Sequence, residues 1–146
     1  MSTSEKRQRE RNIQKQWTPK LATAFTAVSD AFLRHYRDLK LTNTEAMLLI
    51  HLISYKWDDE APFPSFDTLA NRMGLTKEQV RAHALSLVRK KCLGRTIRPG
   101  HSNLFHFEPL FEKLEKLVIE YEKDGRRKEA RRKHSAIADE NKNIPD

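Results

Sequence analysis

The chain has 146 residues, 38% hydrophobic and 33% charged, and its 28 Lys and Arg against 20 Asp and Glu give a formal net charge of +8. That length fits one domain with flanking segments, and the cationic excess points to a polyanion, either nucleic acid or an acidic membrane surface. A single cysteine, Cys92, excludes an internal disulfide, and the absence of a signal-peptide core or a bilayer-length apolar run predicts a soluble, cytoplasmic, nucleoid-associated protein.

Residues 1–16 hold five basic and two acidic residues and almost nothing apolar. The composition predicts a basic flexible arm, which either orders on a phosphate backbone or only aids solubility. Thr18-Pro19 is a helix start, with Thr as cap and Pro at the first helical position. Leu21, Phe25, Val28, Phe32, Tyr36 and Leu39 then recur at spacings of three and four, opposite Lys20, Thr23, Asp30, Arg34 and Arg37. This period predicts one amphipathic N-terminal helix of about six turns over 17–41. Such a helix packs on the domain or pairs with a second copy. A homodimer through the N-terminal helix, the C-terminal helix or both is expected.

Thr42-x-x-Glu45 has capping-box spacing and begins a second helix, buried through Ala46, Leu49, Ile50, Leu52 and Ile53 and ending near Trp57. The loop Asp58–Pro64 follows, its prolines and acids forbidding helix. Ser65 caps a third, short helix ending near Met73-Gly74, and the box Thr76-x-x-Gln79 starts a fourth running to about Lys91. Two β-prone runs, Leu93–Arg98 and Leu104–Phe107, flank the turn-forming Pro99–Asn103 and predict a hairpin. Glu108-Pro109 begins a C-terminal helix over 108–125, apolar through Phe111, Leu114, Leu117, Val118 and Tyr121. Gly125 is expected to interrupt or end it, leaving 126–146 as a basic and polar tail rich in Arg126, Arg127, Lys128, Arg131, Arg132 and Lys133.

Within this order, Ala70, Gly74, Leu75 and Val80 have the spacing of a helix-turn-helix. A small residue lets the helices approach, Gly takes a positive φ in the turn, Leu plugs it, and Val packs back. The stretch from Pro64 to Val88 resembles the winged helix-turn-helix domains of bacterial, plasmid and phage DNA-binding proteins, both replication-initiator-like and transcription-regulator-like, over about residues 42–107. The resemblance implies a mainly α fold with a small β-hairpin, a winged helix-turn-helix flanked by N- and C-terminal helices. One departure stands out: the pattern places Gly between recognition helix and wing, where this chain has Cys92, and Gly94 comes two residues later.

With Val80, Ala84 and Leu87 buried, Thr76, Lys77, Glu78, Arg81, Ala82, Leu85 and Arg89 fall outward or at the edge of the fourth helix. Arg81 is the first choice for reading guanine and Lys77 the second. Glu78 accepts from cytosine or complements the helix N-terminus. Ala82 and Leu85 can meet thymine methyls, and Leu85 can equally face the N-terminal helix. Gln79 is assigned to the cap rather than to a base. Ser65 and Thr76 sit at helix starts, where free N–H groups favour phosphate. For Arg89, Lys90 and Lys91, phosphate contact competes with complementing the helix C-terminus. In the hairpin, Arg95, Arg98 and His101 can reach a flanking groove or phosphate.

Cys92, His101 and His106 match no zinc spacing, so no metal is expected, and no cofactor. With four glycines and no phosphate-cradling loop, and no nucleophile–base pair arguable from spacing, no enzyme is expected either. The function read from the sequence is sequence-specific binding of double-stranded DNA by a transcription regulator. The alternatives are a replication or partition accessory factor on repeated sites, or a protein- or RNA-binding module.

Overall fold

The computed structural model describes residues 2–56, 64–101 and 103–142. It is mainly helical with one two-stranded antiparallel sheet, in the order α1 (Thr3–Gln16), a 3₁₀ turn (Leu21–Thr23), α2 (Asp30–His35), α3 (Asn43–Ile53), α4 (Phe66–Met73), α5 (Lys77–Arg89), β1 (Gly94–Thr96), β2 (Leu104–His106) and α6 (Glu108–Lys142).

The N-terminal third differs from the expectation. Residues 3–16 form a helix rather than a flexible arm. Ser2 and Glu5 make a capping box, with Glu5 N donating to Ser2 Oγ at 3.2 Å and Ser2 N to Glu5 Oε2 at 2.8 Å. The Lys, Arg, Gln and Glu that follow are good helix formers whatever their polarity. The six-turn helix over 17–41 does not form. Thr23, Thr26, Val28 and Ser29 weaken it, since β-branched and hydroxyl side chains lose rotamer freedom or compete with the backbone. Thr23 Oγ1 does so, donating to Lys20 O at 3.0 Å. The apolar period holds only from Val28 to Leu39, which pack on the core, while Leu21 and Phe25 stay exposed.

From α3 onward the expected elements are present. The Thr42–Glu45 box starts α3, which ends at Ile53; Trp57 and residues 58–63 of the proposed acidic loop lie outside the described residues. Gly74 takes φ 65° between α4 and α5, and Leu75 N donates to Ala70 O at 3.0 Å. This closes the tight turn that needs a residue without Cβ strain. Leu48, Leu49 and Leu52 of α3, Leu69 of α4, and Val80 and Leu87 of α5 form the core with Leu93, Phe105, Phe107 and Leu110. Each such side chain contributes about 1.5–3 kcal/mol by leaving water.

The end of α5 explains the missing glycine. Lys91, not Cys92, takes the left-handed conformation, at φ 58°. Lys91 N donates to Val88 O and Cys92 N to Leu87 O, both at 3.0 Å, which is a complete Schellman closure. Cys92 is the buried residue that follows. Gly94 serves a different purpose: it faces His106 across the ribbon, where an added Cβ would lie 3.1 Å from His106 Cβ. Gly125 does not end the last helix. Its cost of about 1 kcal/mol is small against the helix-forming residues on both sides, and α6 runs on to Lys142.

Candidate nucleic-acid interface

The N-terminus of α4, the first two turns of α5 and the hairpin tip meet at an open cleft of about 420 Å³. It is lined by Ser65, Phe66, Asp67, Lys77, Arg81 and His101, with Phe105 below and Gly100 and Asn103 at the tip. Ser65, Lys77, Arg81 and His101, expected from the sequence on two helices and a hairpin, are brought together by the fold. The cations are oriented by neighbours that the sequence does not single out. The Arg81 guanidinium lies 5.9 Å from the Phe66 ring centroid, and Lys77 Nζ is 3.6 Å from Asp67 Oδ2. In the sequence Phe66 is one more apolar helix residue and Asp67 a first-turn acid. Only their position across the turn from α5 gives them a role.

The other candidates separate by geometry. On α5, Glu78, Ala82 and Arg89 are exposed and Leu85 half-buried, and at 100° per residue they share the crest opposite Val80 and Leu87. The crest is therefore mixed, and the cationic pair Lys77 and Arg81 sits on its cleft flank. Ser65 Oγ and Thr76 Oγ1 accept from Thr68 N and Gln79 N, each at 3.1 Å, and Gln79 Oε1 accepts from Thr76 N at 2.9 Å. These hydroxyls act as caps, as Gln79 does. Arg95 pairs with Phe105 in register and so shares the ribbon face that Phe105 turns into the core. It is half-buried and does not line the cleft. Arg98 begins the tip turn, its carbonyl accepting from His101 N at 3.1 Å.

Lys90 has a structural role. Its Nζ is 2.6 Å from Glu45 Oε1 and donates to Lys40 O at 2.9 Å, while Lys113 Nζ donates to Lys90 O at 2.8 Å. Glu45 is buried. Burial pushes its carboxyl up, but the Lys90 ammonium and the hydrogen bond from Thr42 N outweigh this and hold it down at about 2. Burial also pushes the Cys92 thiol up. Among the described residues no group of three His, Cys, Asp or Glu side chains is placed to hold a metal ion, and no helix is long and apolar enough to cross a membrane.

With this geometry in place, the family model of the DnaD N-terminal domain matches residues 28–126. The chain belongs to the DnaD N-terminal domain family. Its fold is similar to the crystal structure of the N-terminal domain of DnaD protein from Geobacillus kaustophilus HTA426, at 28% sequence identity and a TM-score of 0.58, covering 77% of this chain and 96% of that one. No curated protein matches the chain significantly. The family match takes in α2 through the first half of α6, and so the whole cleft. It leaves out α1 and the stretch of α6 beyond Arg126.

Proposed function

We propose that α3–α5 and the hairpin work as a winged helix-turn-helix, and that the chain binds duplex DNA without catalysing a reaction, as a cytoplasmic replication-related accessory protein. Membership of the DnaD N-terminal domain family favours that role over transcription regulation. The observation that carries the DNA reading is the cleft, where Lys77, Arg81 and His101 stand at one accessible edge of α5. Arg81 reads a base edge by leaving the Phe66 ring, and Lys77 meets phosphate by exchanging Asp67 for it. An exposed ion pair of this kind is worth under about 1 kcal/mol, so the exchange is easy. His101 approaches phosphate from the tip. Ala82, Leu85 and Arg89 follow the groove along the crest, Glu78 complements the helix start, and Ser65 and Thr76 present capped helix N-termini to the backbone.

A homodimer fits the same reading. An apolar groove of about 530 Å³ runs between residues 27–32 and the first half of α6, lined by Val28, Phe32, Ile53, Leu114 and Val118. The test of the DNA reading is selection of bound sequences from a random duplex pool, followed by Arg81→Ala on the selected site. The expected loss is about 1–3 kcal/mol with relaxed preference at one position. An equal loss on random duplex would make Arg81 a phosphate ligand. A preference for RNA over any duplex would remove the DNA assignment.

A further inference from the structure

Because Gly125 does not break α6, the basic run beyond it becomes a face rather than a tail. The helix packs through Leu110, Leu114, Leu117 and Val118, of which Leu110 and Leu114 are buried. At 100° per residue, Lys116, Lys123 and Arg127 fall on the opposite side, with His134 beyond them and Glu120 and Arg131 at one edge. All are exposed, and none has a partner among the described residues. The remaining cations divide differently. Lys128 and Lys133 lie off this face and are held by Asp124 at 3.3 Å and Glu129 at 3.5 Å, four residues before each, whereas Arg126 and Arg132 lie off it exposed and without a partner among the described residues. At 1.5 Å rise per residue, Lys116 to Arg131 spans about 22 Å, the length of roughly six phosphates on one strand.

We propose that this face of α6 is a second contact to the phosphate backbone of duplex DNA, additional to the cleft. It rests on the DNA reading of the cleft for its choice of partner. Three observations favour a nucleic acid backbone. Lys116, Lys123 and Arg127 share one side of an unbroken helix, so these three meet a line of phosphates without having to be rearranged. They point away from the body that α6 packs on. A membrane surface fits poorly, because Ile137 is the only large apolar side chain over residues 122–140 and no apolar face exists to insert. The family match takes in Lys116 and Lys123 and ends at Arg126, so Arg127 and Arg131 lie beyond it.

The test uses the full chain and compares three variants on one duplex and on a single-stranded RNA of equal length. The first is Lys123→Gln/Arg127→Gln/Arg131→Gln, the second Lys128→Gln/Lys133→Gln and the third Arg81→Ala. Gln keeps helix propensity, and far-UV circular dichroism checks that α6 persists. The first variant is expected to lower the slope of log K against log salt on duplex by about 2–3, near 0.9 for each phosphate that is no longer neutralised. The second should change it by less than about 1, and the selected sequence should be the same for both. An unchanged slope in the first variant overturns the proposal. So does an equal drop in both glutamine variants, or a larger effect on RNA than on duplex. If Arg81→Ala leaves duplex binding intact while the first variant lowers the slope, the cleft reading fails and the α6 contact stands. The reverse pattern removes the α6 contact and keeps the cleft.

Discussion

The two cationic helices, α5 and α6 from Lys116 onward, use the same side chains differently. Around α5, Lys77 is drawn to Asp67, Arg81 lies over Phe66, Lys90 is tied to buried Glu45, and Lys91 forms the left-handed turn that ends the helix. Along α6, Lys116, Lys123, Arg127 and Arg131 have no partner among the described residues, and Lys128 and Lys133 make only exposed pairs. A count of lysines and arginines treats the two regions alike. Packing decides that one set mostly shapes the fold and the other remains as open charge.

The largest effect expected from this contrast is at Lys90. Lys90→Ala leaves Glu45 buried without its counter-ion and should destabilise the chain by about 3–5 kcal/mol in urea unfolding. Lys133→Ala should stay within about 0.5 kcal/mol. Similar values for the two would erase the distinction between the helices.

Acid unfolding sharpens the same point. The folded Glu45 carboxyl titrates at about 2 against an ordinary 4.5, so the group is depressed by folding. Its contribution is complete above about 4.5 and is lost as pH falls through about 2. At about 1.4 kcal/mol per pH unit of that gap, the loss attributable to Glu45 is about 3–4 kcal/mol. The comparison of wild type with Glu45→Gln over this range isolates it: the stability difference between them should shrink as pH falls, and a constant difference would show that the carboxylate is not the group involved.

A small effect of the opposite sign is expected at Lys91. Lys91→Gly relieves a side chain held at positive φ and should stabilise the chain by about 0.5–1 kcal/mol in thermal unfolding. Duplex affinity should hardly change. A large drop in affinity would return Lys91 to the phosphate-binding set.

Much of the helical frame is legible because it is written locally. Thr42–Glu45 and Thr76–Gln79 announce their helices by spacing, Ser65 by its hydroxyl, and Gly74 by the turn only it enters cheaply. The same signal stands at Ser2–Glu5, where the absence of apolar residues masks an equally good capping box. The apolar period at 21–39 misleads because periodicity reports which residues could share a face, not whether a packing partner reaches them. Val28 to Leu39 meet the core, and Leu21 and Phe25 do not.

The sequence by itself determined the starts of α3 to α6, the turn at Gly74 and the hairpin, since each depends on neighbours within a few positions. Only tertiary structure decided which cations are available. Lys90 meets Glu45 across forty-five positions, and Lys77 and Arg81 acquire Asp67 and Phe66 only when α4 and α5 fold against each other. Electrostatic partners are chosen by distance in space, and a linear sequence does not contain that distance until the helices have packed.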